Sequence, residues 1–210
     1  MIEPAYLTDP AEIYRRSFAT IRAEADLARF SGAMEAVAIR MIHACGMVDL
    51  APAIAFSPDA AEVGIAALRA GAPVICDAEM VRHGIIRRLL PAANATLCRI
   101  GDPRVDTVAQ ARGTTRSAAQ VDLWREDLAG SLVVVGNAPT ALFRLLEILE
   151  DGAPPPALVV GVPVGFVGAV EAKQALFARA GDVPFITVHD RRGGSAIAAA
   201  ALNALAGECR

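Results

Sequence analysis

Three histidines are the first candidates for acid–base chemistry, because imidazole titrates closest to neutral pH. His43 lies in the last turn of a predicted helix, on one face with Ile39 and Arg40. His83 is typical of a cation near a helix C-terminus, and His189 closes a predicted strand beside an arginine-rich turn. A histidine in apolar company is often only a hydrogen-bonded core or cap residue, so the residues alone leave both roles open for His43.

Three glycine-rich turns follow predicted strands and lead into predicted helices. Their sequences are GNAPT at 136–140, GVPVGFVG at 161–168 and RRGGS at 191–195. Such turns expose backbone N–H groups at a helix N-terminus, where the helix dipole favours an anion. Glycine and proline also shape tight turns for structural reasons alone, but three such turns at one sheet edge, the last with two arginines, favour an anionic ligand.

The expected anion is a carboxylate. No turn has the G-x-x-x-x-G-K-[ST] spacing of a nucleoside triphosphate loop, and the only lysine, Lys173, lies inside a predicted helix. The G-x-G-x-x-G spacing of dinucleotide sites is not matched either. Carboxylates are the groups that arginine binds with two parallel hydrogen bonds, and every basic residue except Lys173 is an arginine.

The remaining polar motifs are weaker candidates. Asp77 and Glu79 follow a predicted strand, where we expect them to cap the following helix rather than bind a metal, because no paired histidines accompany them. Thr115 or Ser117 is expected to cap another helix, which would place Arg116 near a strand end. The four cysteines form no Cys-x-x-Cys pair, so the sequence predicts neither a metal site nor a disulfide framework.

The elements that must position these residues alternate between helix and strand. Helices are predicted from Pro10 to about Phe30, from a cap at Ser31 to Gly46, and from 57 to about Gly71. Beyond them, β-rich runs at 73–76, 95–100, 131–136, 157–162 and 184–189 alternate with helices predicted over 117–128, 139–149, 166–178 and 195–205. The last three runs are apolar without alternation, which is typical of strands buried on both faces of a parallel sheet.

This alternation predicts an α/β fold with three layers, α/β/α, around a doubly wound parallel sheet of about five strands. Ligands of such folds bind at the carboxyl ends of the strands. The 210 residues contain no internal repeat and no convincing linker, which predicts a single domain over 1–210. With 54% apolar residues the chain can bury a sizeable core.

The charge balance and the apolar segments limit the partners. The formal net charge of −3 argues against the basic face that nucleic-acid binding requires. Charges interrupt every apolar segment before it could cross a bilayer, and residues 1–9 lack the pattern of a signal peptide. We therefore expect a cytoplasmic protein with no nucleic-acid and no membrane partner.

Several segments, taken together in chain order, closely resemble the precorrin-8X methylmutase family. They are IYRRSF at 13–18, IRAE at 21–24, RMIHACG at 40–46, CDAEMV at 76–81, TRSA at 115–118, GNAPTAL at 136–142 and PVGFVGA at 163–169. The resemblance spans almost the whole chain, which makes it far more specific than any single glycine turn.

The resemblance implies an isomerase of corrin-ring biosynthesis, on the route to vitamin B12. Enzymes of this family move a methyl group from C-11 to C-12 of precorrin-8X to give hydrogenobyrinic acid, without a cofactor. A flavodoxin-like fold and a homodimer are implied as well. The family's catalytic histidine corresponds to His43, and its substrate contacts correspond to Ser17, Arg40, Arg116, Arg192, Gly193 and Gly194.

The chemistry of the residues agrees with this resemblance. Precorrin-8X carries a ring of acetate and propionate groups, which suit an apolar cleft bordered by arginines and helix N-termini. Two other classes of protein remain as alternatives. One is a noncatalytic tetrapyrrole carrier in which His43 only anchors the pigment, and the other is a carboxylate-binding regulatory domain of the same fold.

Overall fold

The structure, a computed structural model, describes residues 6–209. Its helices are α1 (Pro10–Glu24), α2 (Ala33–Cys45), α3 (Ala60–Arg69), α4 (Glu79–Gly84), α5 (Arg104–Arg112), α6 (Arg116–Ala119), α7 (Pro139–Glu150), α8 (Ala169–Arg179) and α9 (Ser195–Gly207). Its strands are β1 (Ile54–Phe56), β2 (Val74–Cys76), β3 (Thr96–Cys98), β4 (Leu132–Val135), β5 (Leu158–Gly161) and β6 (Phe185–Val188). Short 3₁₀ segments span Val48–Ala53, Arg87–Leu89 and Gln120–Trp124.

The six strands form one sheet in the order β1-β6-β5-β4-β2-β3. The five strands from β2 to β6 pair in parallel, and their order is that of the flavodoxin-like doubly wound fold. The predicted α/β class is therefore confirmed, but the predicted count of about five strands is one short. The additional strand, β1, pairs antiparallel with β6 at the edge of the sheet. It has only three residues, so its sequence carries little signal of its own.

Helices cover both faces of the sheet. One core is built from α3, α9 and the inward side chains of the strands, and the other from α7, α8 and the segment Gln120–Trp124. Helix α9 is rich in alanine and almost entirely buried, which lets α2 pack closely along it. Helix α1 packs in turn on α2, so the N-terminal helix pair adds to the layer that covers this face.

Several predicted boundaries differ from the structure. Helix α1 ends at Glu24 rather than near Phe30, because the chain turns into extended backbone at Ala25. Helix α2 begins after Gly32 rather than Ser31. The predicted helix over 117–128 is divided into the short α6 and a 3₁₀ segment. Helix α5 was not predicted, because its sequence buries only Val105 and Ala109 and lacks a continuous apolar stripe.

Candidate active site

His43 and Ser17 form the closest pair among the residues proposed from sequence. His43 lies in the last turn of α2, and its Nδ1 is 2.7 Å from Oγ of Ser17 on α1. The rings of Tyr14 and Phe18 flank the imidazole, each with its centroid 5.4 Å from that of His43. Within residues 6–209, no hydrogen bond engages Nε2, so this nitrogen is available to a ligand.

The sequence of α1 explains this arrangement. Asp9 caps the helix by accepting a hydrogen bond from the N–H of Ala11, and Pro10 occupies the first helical position. Tyr14, Ser17, Phe18 and Ile21 recur at intervals of three and four residues, which places them on the face that meets α2. Of these four residues only Ile21 is buried, so Tyr14, Ser17 and Phe18 remain partly exposed around His43.

Two small cavities are lined in part by residues of α1. The cavity beside His43 has a volume of about 260 Å³, and its other lining residues include Ser17, Thr20, Ile21, Glu24 and Val48. The second, of about 270 Å³, is lined by Arg22, Arg40 and Glu208. Arg40 lies over the Phe18 ring, with Cζ 5.9 Å from its centroid. The structure thus places Arg40 one aromatic ring away from His43.

The turn at 136–140 is filled by a carboxylate of the protein itself. Asp77, which is 1% exposed, accepts hydrogen bonds from the N–H groups of Gly136 at 2.9 Å, Asn137 at 2.9 Å and Ala138 at 2.8 Å. Burial raises the pKa of Asp77, although these three N–H groups act in the opposite direction. The prediction that Asp77 caps the following helix is wrong, because no side chain among residues 6–209 caps α4. Asp77 instead binds the turn that joins the neighbouring strand, β4, to α7.

The other two glycine-rich turns keep helix N-termini without a side-chain cap. Gly168 and Gly194 are the N-cap residues of α8 and α9, and no side chain in the described part of the chain caps either helix. The N–H of Gly194 donates to the carbonyl of Val162 at 2.9 Å, which ties the two turns together. Among the three turns proposed as anion sites, these two therefore stay open to a ligand.

Arg116 lies near the carboxyl end of β3, the strand at the edge of the sheet opposite β1. Its Nε is 2.9 Å from a carboxylate oxygen of Asp106, and it also donates to the carbonyl of Ile100 at 3.0 Å. Thr115 caps α6, as one of the two predicted capping residues, and its hydroxyl is 2.8 Å from that of Thr140. Because β3 and β6 are four positions apart in the sheet, about 19 Å separates the ends of these strands.

The two arginines of the last turn differ in their surroundings. Arg192 donates to Asp190 at 2.6 Å and to Asp49 at 2.8 Å, so both of its strongest contacts are carboxylates of its own chain. Arg191 instead lies over the ring of Phe166, with Cζ 5.3 Å from the centroid. Over the described part of the chain, no carboxylate pairs with Arg191. The free guanidinium of this turn therefore belongs to Arg191.

Two features of the site escaped the sequence reasoning. Lys173 is fully buried and donates to the backbone carbonyls of Asp190 and Arg192, although a lone lysine in an amphipathic helix usually faces solvent. Asp77 and the turn that it fills are 59 or more residues apart, so no local pattern could connect them. His189 packs against Phe177, and within residues 6–209 it has no hydrogen bond or ring contact with His43.

No group of three or more histidine, cysteine, aspartate or glutamate side chains within residues 6–209 is arranged to hold a metal ion. None of the helices in that part of the chain is both long enough and apolar enough to cross a membrane. The four cysteines are free thiols.

The fold and the site define a doubly wound α/β protein with a histidine–serine pair and arginine-bearing turns. The family model described as Precorrin-8X methylmutase matches residues 12–208. The chain is 57% identical to a precorrin-8X methylmutase of Sinorhizobium sp., over 98% of this chain and 98% of that relative. It is 56% identical to a precorrin-8X methylmutase of Pseudomonas aeruginosa, over 97% of this chain and 98% of that relative. A solved structure of precorrin-8X methyl mutase from Thermus thermophilus superposes with a TM-score of 0.85 at 40% identity, covering 95% of this chain and 96% of that one.

The chain belongs to the precorrin-8X methylmutase family, as the resemblance of its motifs indicated. It is an isomerase of cobalamin biosynthesis. Family membership thus favours an enzyme over the noncatalytic carrier and the regulatory domain.

Proposed function

We propose that this enzyme moves the methyl group of precorrin-8X from C-11 to C-12, giving hydrogenobyrinic acid, with His43 as the proton donor and acceptor and with no cofactor. The observation that carries the proposal is the Ser17–His43 pair. The 2.7 Å contact at Nδ1 fixes the orientation of the ring, while Nε2 stays available to a substrate. Substrate and product are isomers, so a group that delivers a proton must also recover one.

A methyl shift of this kind needs no nucleophile. The methyl group migrates with its bonding electron pair within the ring system, and the conjugated double bonds rearrange to compensate. A proton placed on the macrocycle, or removed from it, assists this redistribution of electrons. Imidazole is the side chain that releases and takes up protons most readily near neutral pH. Tyr14 and Phe18 support the role by keeping an apolar, partly desolvated surface around His43.

The substrate's peripheral carboxylates are proposed to bind to Ser17, Arg40, Arg116 and the turn formed by Arg192, Gly193 and Gly194. Arg40 is the best supported of the three arginines, since it lies next to Phe18 and no carboxylate in the described chain pairs with it. Arg116 and Arg192 already bind carboxylates of the protein, so a substrate carboxylate would have to share or replace those partners. The uncapped N-terminus of α9 supports anion binding at the last turn.

A homodimer belongs to the same proposal, as does the cytoplasmic location expected from sequence. Two groups of exposed apolar side chains support the dimer. One precedes and begins α1 and consists of Tyr6, Leu7, Ile13 and Tyr14, and the other consists of Val164, Phe166 and Val167 in the turn before α8. Exposed apolar groups of this kind are typical of surfaces that another chain covers.

The direct test of the reaction is to follow a carbon-13 label in the migrating methyl group. We expect the wild-type protein to convert labelled precorrin-8X into a product whose NMR spectrum places the labelled methyl at C-12. The absorption spectrum should change at the same time. Binding of precorrin-8X without any movement of the label would instead identify a noncatalytic carrier.

A further inference from the structure

Lys173 binds the backbone of the glycine-rich turn at 191–195. Lys173 belongs to α8 and is fully buried, and its Nζ donates to the carbonyl of Asp190 and, at 2.7 Å, to that of Arg192. The carbonyl between them, that of Arg191, accepts the N–H of Gly165 at 3.2 Å. Three successive carbonyls are therefore held in place. A buried ammonium group is costly, so its retention calls for a role.

The residue after Arg191 is held as firmly as the backbone. The guanidinium of Arg192 is fixed by Asp190 on one side and by Asp49 on the other. Gly193 has a φ of +155° and lies so close to the carbonyl of Val162 that a side chain would not fit. The backbone on both sides of Arg191 is thus immobilised, and its own side chain is the part of the turn that can reach a ligand.

The surroundings of Arg191 suit an anionic group of a large ligand. Its exposed guanidinium lies over Phe166, beside the turn that leads to the uncapped N-terminus of α8. A short chain of contacts connects this turn to the cavity of His43. Arg192 binds Asp49, and the residue before Asp49, Val48, lines that cavity. A macrocycle whose edge approached His43 could place a peripheral carboxylate on this guanidinium and its ring on Phe166.

We propose that Arg191 is the specificity-determining arginine that binds a peripheral carboxylate of precorrin-8X, and that Lys173 is the positioning residue that holds Arg191 in place. This inference rests on the proposed function. It replaces Arg192 by Arg191 in the set of substrate contacts proposed above, in which Arg192 was assigned by resemblance. Arg192 stabilises the turn through its contacts with Asp190 and Asp49, and Arg191 binds the substrate.

The test compares binding of hydrogenobyrinic acid with binding of its fully esterified analogue. Arg191→Met should weaken binding of the free acid about 10- to 100-fold, the value of a lost charged hydrogen bond, and leave binding of the ester almost unchanged. Lys173→Met should raise KM and the Kd of the free acid with little change in kcat. In a protein that already carries Arg191→Met, adding Lys173→Met should raise the Kd of the free acid by less than about 2-fold, because Lys173 acts through Arg191.

Asn94 provides a matched control for Lys173. It too is buried, and its side-chain nitrogen donates to two backbone carbonyls, those of Leu68 and Ala72, just before β3 begins at the opposite edge of the sheet. Asn94→Leu should lower stability without changing the preference for the free acid. If Lys173→Met does not fold, Lys173→Gln replaces it, because the shorter amide cannot span both carbonyls and the same outcomes apply.

The results separate this inference from the function on which it rests. If wild type does not bind or convert the corrin at all, the proposed function fails. If wild type does so but Arg191→Met keeps the full preference for the free acid, the assignment of Arg191 is wrong. If Lys173→Met raises the Kd of the free acid equally in wild type and in Arg191→Met, Lys173 does not act through Arg191.

Discussion

The hydrogen bond between Ser17 and His43 is the feature of single residues on which the mechanism depends. Replacing Ser17 by alanine frees the imidazole to rotate, and we expect kcat to fall about 10-fold because the reacting nitrogen is no longer held in place. Ser17→Thr keeps the hydroxyl and should retain most of the activity. Conversion of precorrin-8X, followed by its absorption spectrum, measures both variants. An unchanged kcat in Ser17→Ala would remove the serine from the mechanism.

The buried ammonium group of Lys173 predicts a pH dependence of stability. Burial lowers the pKa of Lys173 from 10.5 to about 8, so between these values the unfolded chain keeps a proton that the folded chain has released. The free energy of unfolding contributed by this group therefore rises with pH across that window. We therefore compare the free energies of unfolding of wild type and Lys173→Met in urea. The value for wild type minus that for the variant should rise by about 2 kcal/mol between pH 7.5 and pH 9.5. A constant difference would contradict the lowered pKa.

At the scale of secondary-structure elements, one carboxylate connects two neighbouring strands. Asp77 follows β2 and accepts hydrogen bonds from three N–H groups of the turn between β4 and α7, the kind of turn where doubly wound folds often bind a ligand's phosphate. Asp77→Ala should lower the free energy of unfolding by about 3 kcal/mol, because it leaves these buried donors without a partner. Asp9→Ala, at the exposed cap of α1, is the control and should cost about 1 kcal/mol. Equal losses in urea unfolding would show that the three buried hydrogen bonds of Asp77 stabilise the protein no more than one exposed helix cap does.

The elements also show what the sequence could and could not predict. The apolar runs that became β4, β5 and β6 are visible without the structure, because strands buried on both faces lack polar positions. The antiparallel β1 was missed because its three residues become a strand only by pairing with β6. Motif resemblance indicated His43 and Ser17, whereas Asp77, Lys173 and the free guanidinium of Arg191 emerge only from contacts between distant segments.

At the scale of the whole molecule, the exposed apolar side chains around α1 predict a second copy. Ile13 is 43% exposed and Tyr14 45%, although both belong to the helix that carries Ser17. Sedimentation should therefore give a dimer for wild type, and Ile13→Glu should shift it towards the monomer because the charge would be buried at the interface. Phe177→Glu, at an exposed position of α8 outside the two apolar groups, should leave the dimer intact. A monomeric wild type at micromolar concentration would contradict the prediction.

The proposed methyl shift depends on His43 as the acid–base group. The most direct measurement is the single-turnover rate of precorrin-8X conversion by His43→Ala, with the Kd of hydrogenobyrinic acid determined on the same sample. His83→Ala is the matched control, since His83 is exposed and, among residues 6–209, its hydrogen bond and ion pair are both with Glu79 of the same helix. We predict a rate about 10²- to 10⁴-fold below wild type for His43→Ala, with product binding largely kept, and an unchanged rate for His83→Ala. A rate for His43→Ala close to that of wild type would contradict the account.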